Sequence, residues 1–212
     1  LAQSVIDTSA GPMQVDLVAE GLDEPWGIGF LPDGSFLVTE RGGTIKRFAA
    51  PGAGPIVIGG GPEVEVDGQG GLLDILIPAD FATSREVWLT YAEPRDAGPV
   101  TAVGKGRLSA DGSALEDFGT LFAIPEGSSG GRHFGSRLVE ASDGTVFLTV
   151  GDRGTGPDGT EAQDPMRGEG KVIHLTRDGR PATALEGALP GVFSWGHRNA
   201  QGAALDLEGR LW

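Results

Sequence analysis

Short apolar runs closed by turn dipeptides, no convincing helical periodicity, and a phrase that recurs about every 55 residues predict an all-β protein of repeated four-stranded sheets, a β-propeller. The phrase is a small or aromatic residue, about five mostly apolar residues, an acidic residue with Gly, then another apolar strand. Gly34, Gly144 and Gly209 mark it. Gly 37 and Pro 14 in 212 residues is a share that can signal disorder. The regularity of the runs and a hydrophobic fraction of 39% argue for a packed core instead.

In chain order, Met13–Glu20 alternates partly and reads as a strand. Trp26–Leu31, Ser35–Glu40 and Thr44–Phe48 follow, joined by Pro32-Asp33-Gly34 and Arg41-Gly42-Gly43, and make an antiparallel meander. Gly71–Pro78, Glu86–Tyr91, Val100–Leu108 and Gly119–Ile124 form a second set. Phe134–Glu140, Thr145–Val150 and Gly170–Thr176 form a third. Gly202–Leu207 and Arg210–Trp212 begin a fourth. Propellers close as rings of about four to eight blades, and this chain supplies about three and a half. Residues 1–212 are therefore expected to be the N-terminal portion of a single propeller domain. Met13–Glu20 would complete the outer edge of its last blade. A β-sandwich with long loops is the rival reading.

The formal net charge of −14 disfavours nucleic acid and anionic membrane surfaces, which want clustered Lys and Arg. Cys is absent, which removes disulfides and thiolate metal sites. No segment approaches the roughly 20 apolar residues of a membrane span. No signal peptide is visible at Leu1.

Chemistry concentrates at Gly130–Leu138, where a glycine-rich turn hands over to a strand with His133 at its leading edge. Thr145–Val150 then runs into Gly151-Asp152. One hairpin of these two stretches brings His133 and Asp152 to the same end, and a carboxylate that holds an imidazole in one tautomer makes a general base. The bland alternatives are a histidine satisfying a turn and a strand-end Asp cap. Gln69 lies among glycines, where backbone can approach a ligand closely, or is a plain turn residue. His174 lies within a strand and, like His197, reads as structural. Trp26, Trp88 and Trp195 read as packing aromatics. The acidic residues of Thr155–Pro165 suit a solvated loop better than a second Ca²⁺ site.

An ordered series of motifs goes further. It comprises Pro25-Trp26-Gly27, Pro32-Asp33-Gly34, Thr39-Glu40-Arg41-Gly42-Gly43 and Gly68-Gln69-Gly70-Gly71-Leu72-Leu73-Asp74. It continues with His133-Phe134-Gly135, Arg137-Leu138, Gly151-Asp152-Arg153, Ala162-Gln163-Asp164-Pro165, Gly170-Lys171-Val172 and Trp195-Gly196-His197-Arg198-Asn199. From about Pro25 to Trp212 the chain resembles the soluble PQQ-dependent sugar dehydrogenases, and within them the aldose sugar (glucose/sorbosone) dehydrogenase branch. The resemblance implies a six-bladed propeller that carries pyrroloquinoline quinone (PQQ) and Ca²⁺ on its top face. It also implies a soluble enzyme that oxidises aldoses at the anomeric carbon, passes hydride to the quinone, and gives up electrons to an external acceptor.

Residue by residue, His133 matches the family's base and Asp152 the carboxylate that orients it. Gln69 matches a polar residue beside the substrate and cofactor. Arg198 and Asn199 match residues at the quinone's reactive carbonyl region, Arg198 with a catalytic share in stabilising charge there. Ala200 stands where the family usually has Pro. The metal ligands are not assigned within this stretch, because the family's Gly-Pro carbonyls fall beyond position 212. The expected partners are a small aldose and the rest of the same propeller, in a periplasmic or secreted setting. Two rival functions are a non-catalytic recognition propeller and a metal-dependent propeller lactonase.

Overall fold

A computed structural model describes residues 3–125, 127–128, 130–154 and 160–212. Its first element is a hairpin of β1 (Gln3–Thr8) and β2 (Gly11–Asp16), paired from Thr8↔Gly11 to Gln3↔Asp16. This hairpin forms its own two-stranded sheet. The strand expected at Met13–Glu20 is thus shorter and shifted, with a partner that its weak alternation did not announce. Val5 and Met13 on it are exposed.

Three four-stranded antiparallel meanders follow. The first holds β3 (Pro25–Phe30), β4 (Phe36–Glu40), β5 (Ile45–Phe48) and β6 (Ile56–Ile58). The second holds β7 (Leu72–Leu76), β8 (Glu86–Glu93), β9 (Val100–Leu108) and β10 (Leu115–Ala123), with one helical turn, α1 (Phe81–Ser84), before β8. The third holds β11 (Leu138–Glu140), β12 (Val146–Val150), β13 (Lys171–Leu175) and β14 (Val192–Trp195). These are three consecutive blades of a propeller, with β3 packed beside β7 and β7 beside β11. No helix is long and apolar enough to cross a membrane.

Apolar side chains fill the gaps between blades. Leu37, Ile45, Leu72, Ile75, Leu89 and Leu108 join blades one and two. Trp88, Val103, Leu138, Leu148, Ile173 and Leu175 join blades two and three. Each such side chain contributes about 1.5–3 kcal/mol when fully buried.

A threonine repeats the same job in each blade. The Thr39 hydroxyl accepts from Gly27 N at 3.0 Å and donates to Leu73 O at 2.5 Å. Thr90 accepts from Asp74 N and donates to Ser136 O, both at 2.8 Å. Thr149 accepts from Arg137 N at 2.9 Å and donates to Ala200 O at 2.7 Å. One buried hydroxyl therefore ties its own inner strand to the next unit, where no ladder partner exists for those groups.

The structure differs from the sequence reading at the ends of units. β6 and β14, the outermost strands of blades one and three, are too short to stand out by alternation. Only the bridge Leu205↔Leu211 forms where a fourth pair of strands was expected. Trp88 is buried and Trp26 is half-buried under the Arg137 guanidinium, but Trp195 is exposed.

Candidate active site

β11 starts only at Leu138, so His133 sits in the irregular segment before the strand rather than on it. Its backbone is left-handed, with φ 55. A non-glycine residue held there costs on the order of 1 kcal/mol or more, so the surroundings must impose it. They do so by close approach. A Cβ on Gly151 would lie 1.9 Å from His133 O, and a Cβ on Gly68 would lie 2.1 Å from Gly131 O. The glycines around Gln69 thus admit a neighbouring segment of this chain. Gln69 N donates to Gly131 O at 2.7 Å.

The imidazole and the carboxylate meet. His133 Nδ1 lies 2.6 Å from Asp152 Oδ1, with side chains 12% and 11% exposed. An ionised carboxylate only accepts, so Nδ1 is the donor and, in the neutral ring, Nε2 carries the lone pair. Among the described residues no group bonds to Nε2. Asp152 Oδ1 also accepts from Gly154 N at 2.8 Å.

Gln69 and Asn199 flank the same segment. Gln69 Oε1 accepts from His133 N at 2.8 Å, and Asn199 Oδ1 accepts from Gly135 N at 3.0 Å. Both amide oxygens are therefore engaged by backbone, and among the described residues the amide NH₂ groups have no partner. Arg198 enters through its main chain, where its carbonyl accepts from Asp152 N at 2.7 Å. Its guanidinium is exposed and has no partner among the described residues, as is that of Arg132. Two cations with no carboxylate partner among the described residues, next to the His–Asp pair in a chain of charge −14, favour an anionic ligand at this end of the blade.

Three supporting cations were not singled out from the sequence. Arg41 Nη1 donates to Gly68 O at 2.9 Å and Gly70 O at 3.1 Å, which fixes the turn that carries Gln69. Lys171, fully buried, donates from Nζ to the carbonyls of Glu161, Ala162 and Glu169. That seats a 3₁₀ turn, Thr160–Gln163, whose Ala162 O accepts from Gly196 N at 2.8 Å, just before Arg198 and Asn199. Arg153, fully buried, stacks on Phe134. Each stood in a motif, but nothing in a sequence marks a basic residue as buried.

His174 and His197 lie apart from the pair. His174 stacks on Phe147 and bonds Thr183 and Thr145, while His197 bonds Ser194. Burial pushes both imidazoles below their ordinary pKa; the Asp143 charge opposes it at His174, and Lys171 adds to it at His197. Residues 155–159 of the acidic loop lie outside the described residues. Among the described residues no three His, Asp or Glu side chains converge as metal ligands.

The sequence profile of the glucose/sorbosone dehydrogenases matches residues 22–212. The aldose sugar dehydrogenase YliI of Escherichia coli is 39% identical over 217 residues, which take in 99% of this chain and 58% of that protein. The quinoprotein glucose dehydrogenase B of Acinetobacter calcoaceticus is 25% identical, over 92% of this chain and 46% of its own length. The PQQ-bound aldose sugar dehydrogenase of Streptomyces coelicolor superposes with a TM-score of 0.81 at 30% identity, over 99% of this chain and 59% of that one. The chain thus spans about half the length of the curated relatives it matches.

Proposed function

The chain belongs to the glucose/sorbosone dehydrogenase family, and from that premise we propose that the whole protein is a PQQ- and Ca²⁺-dependent dehydrogenase that oxidises aldoses at the anomeric carbon, with His133 as general base. The observation that carries this reading is the 2.6 Å contact between His133 Nδ1 and Asp152 Oδ1, which makes Nδ1 the donor and, in the neutral ring, puts the lone pair on Nε2.

The residues present fit the cofactor. PQQ is a polyanion, and the exposed guanidiniums of Arg198 and Arg132 suit its carboxylates or carbonyl oxygens. The amide NH₂ groups of Gln69 and Asn199 offer further donors. For Ca²⁺, no carboxylate cluster forms among the described residues, and the cation would draw on carbonyl oxygens elsewhere in the protein. PQQ, when bound, supplies the two-electron acceptor for the anomeric hydride.

The protein residues handle the proton. Nε2 of His133 takes it from the anomeric hydroxyl as hydride leaves the same carbon, and the sugar becomes its lactone. Asp152 holds Nδ1–H and stabilises the imidazolium that forms. Gln69 and Asn199 keep residues 133–135 from shifting. An external acceptor must then remove the two electrons, and a periplasmic or secreted location goes with this reading.

The test uses the full-length protein with PQQ and Ca²⁺ added. Aldose-dependent dye reduction is expected, and His133→Ala should reduce it about 10²–10⁴-fold while absorbance titration still registers bound PQQ. Undiminished activity in His133→Ala would remove the base. No PQQ binding would leave a recognition propeller, and metal-dependent lactone opening without PQQ would indicate a lactonase.

A further inference from the structure

Arg153 follows Asp152 directly, is fully buried, and has no role in the chemistry above. Its guanidinium carbon lies 3.4 Å from the centroid of the Phe134 ring. Nη2 donates to Ser128 O at 3.4 Å, and Ser128 Oγ donates back to Arg153 O at 3.5 Å. The backbone N–H of Arg153 points at His133 O, 3.4 Å away. Among the described residues Nε and Nη1 have no hydrogen-bond partner. The side chain thus reaches from the turn after β12 to both flanks of His133, Ser128 before it and Phe134 after it.

This arrangement is expensive for the fold. A buried guanidinium with two unmatched nitrogens loses hydration that nothing fully replaces. Burial lowers its pKa to about 10, against the charges of Asp67 and Glu169, so it remains a cation near neutral pH. An apolar side chain of similar volume would fill the space without that penalty. What an apolar chain lacks is a flat cation that stacks on an aromatic face and donates sideways at once. The backbone it braces is strained, with φ 55 at His133 and φ 58 at Arg153 itself.

We propose that Arg153 is a positioning residue for His133: stacked on Phe134 and tied to Ser128, it holds the imidazole on the Asp152 carboxylate in the tautomer that leaves Nε2 free. The inference rests on the reading of His133 as base, but its test does not require that reading.

In a ¹⁵N-labelled full-length protein the ring-nitrogen signals of His133, His174 and His197 are assigned by substituting each in turn. In the unaltered protein His133 should give the single Nδ1–H form. In Arg153→Met it should give a mixture of tautomers, with His174 and His197 unchanged as reporters of an intact fold. In the sugar assay kcat should fall about 10²-fold with KM within about twofold, the signature of a misplaced group. Arg153→Lys, which keeps charge but not the planar stack, should restore only part. If Arg153→Met does not fold, Arg153→Lys and Phe134→Leu are read by the same signals. A single Nδ1–H tautomer in well-folded variants overturns the proposal. A tautomer shift in a protein that oxidises no sugar supports the positioning role and rejects only the functional reading.

Discussion

Thr149 and Asp152 stand three residues apart on one strand and its exit, and they obey different rules. Thr149 repeats what Thr39 and Thr90 do, one hydroxyl accepting from its own inner strand and donating to the next unit. In the same register blade one has Gly42 and blade two has Glu93, whose carboxylate accepts from Thr120 and pairs with Arg95, so only Asp152 meets an imidazole. By the register of the threonine contacts, Gly27, Asp74 and Arg137 are equivalent, which sets His133 opposite Gly70 in blade two and Asp23 in blade one. The waist of the propeller is made three times and the site once. Interactions at the waist should therefore govern stability with little effect on chemistry, and those above blade three the reverse.

The sharpest way to break that contrast is Asp152→Asn in the full-length protein. The shape is kept, but the amide no longer fixes Nδ1–H. Dye reduction should drop about 10²–10⁴-fold, with thermal unfolding shifted by a few degrees at most. A fall in melting temperature as large as that of a waist mutant would erase the distinction. Gly151→Ala should fail on both counts, because its Cβ would sit on His133 O. Steric strain there has to displace one segment or the other, so lost activity and lost stability are expected together, read by kcat and by melting temperature.

Thr149→Val probes the other side. Both Thr149 contacts vanish at a site that is 2% exposed, which leaves Arg137 N and Ala200 O without a partner. Leaving buried polar groups unmatched costs about 1–3 kcal/mol. Denaturant titration should register that loss, and kcat per folded molecule should change less than about threefold. Thr39→Val, farther from His133, should cost similar stability with no kinetic effect at all.

The same contrast explains what could be read beforehand. Repetition amplifies weak signals, so the blades emerged from turn glycines and short apolar runs although β6 and β14 were too short to see singly. The recurring Thr of Val38-Thr39, Leu89-Thr90 and Leu148-Thr149 was visible as letters but not as a device, since its partners lie in the next unit. His133 and Asp152 could be paired because one hairpin joins them. Gln69 and Asn199 are each 64 residues from the backbone group they hold, and no local pattern encodes that distance. Lys171 and Arg153 were least legible, because burial of a charge depends on neighbours from several segments.

The smallest expected effect concerns acid, and it separates the structural histidines from the one at the site. His174 bridges Thr183 and Thr145 and stacks on Phe147 at 4.2 Å. Burial lowers its pKa from the ordinary 6.5, with the Asp143 charge opposing. The unfolded chain therefore binds a proton at this position more readily than the folded one. The stability tied to neutral His174 is fully present above about pH 6.5 and is lost as pH falls from there toward the lower folded value. Burial sets the same sign at His197, with Lys171 adding to it. Melting temperature measured from pH 7.5 downward should start to bend near 6.5, and His174→Gln should make that bend shallower. Because His174 lies in blade three but outside the His133–Asp152 pair, the substitution should leave the pH profile of kcat where it was. A shift of that profile by His174→Gln would mean that the packing of β13 and the site of blade three are coupled after all.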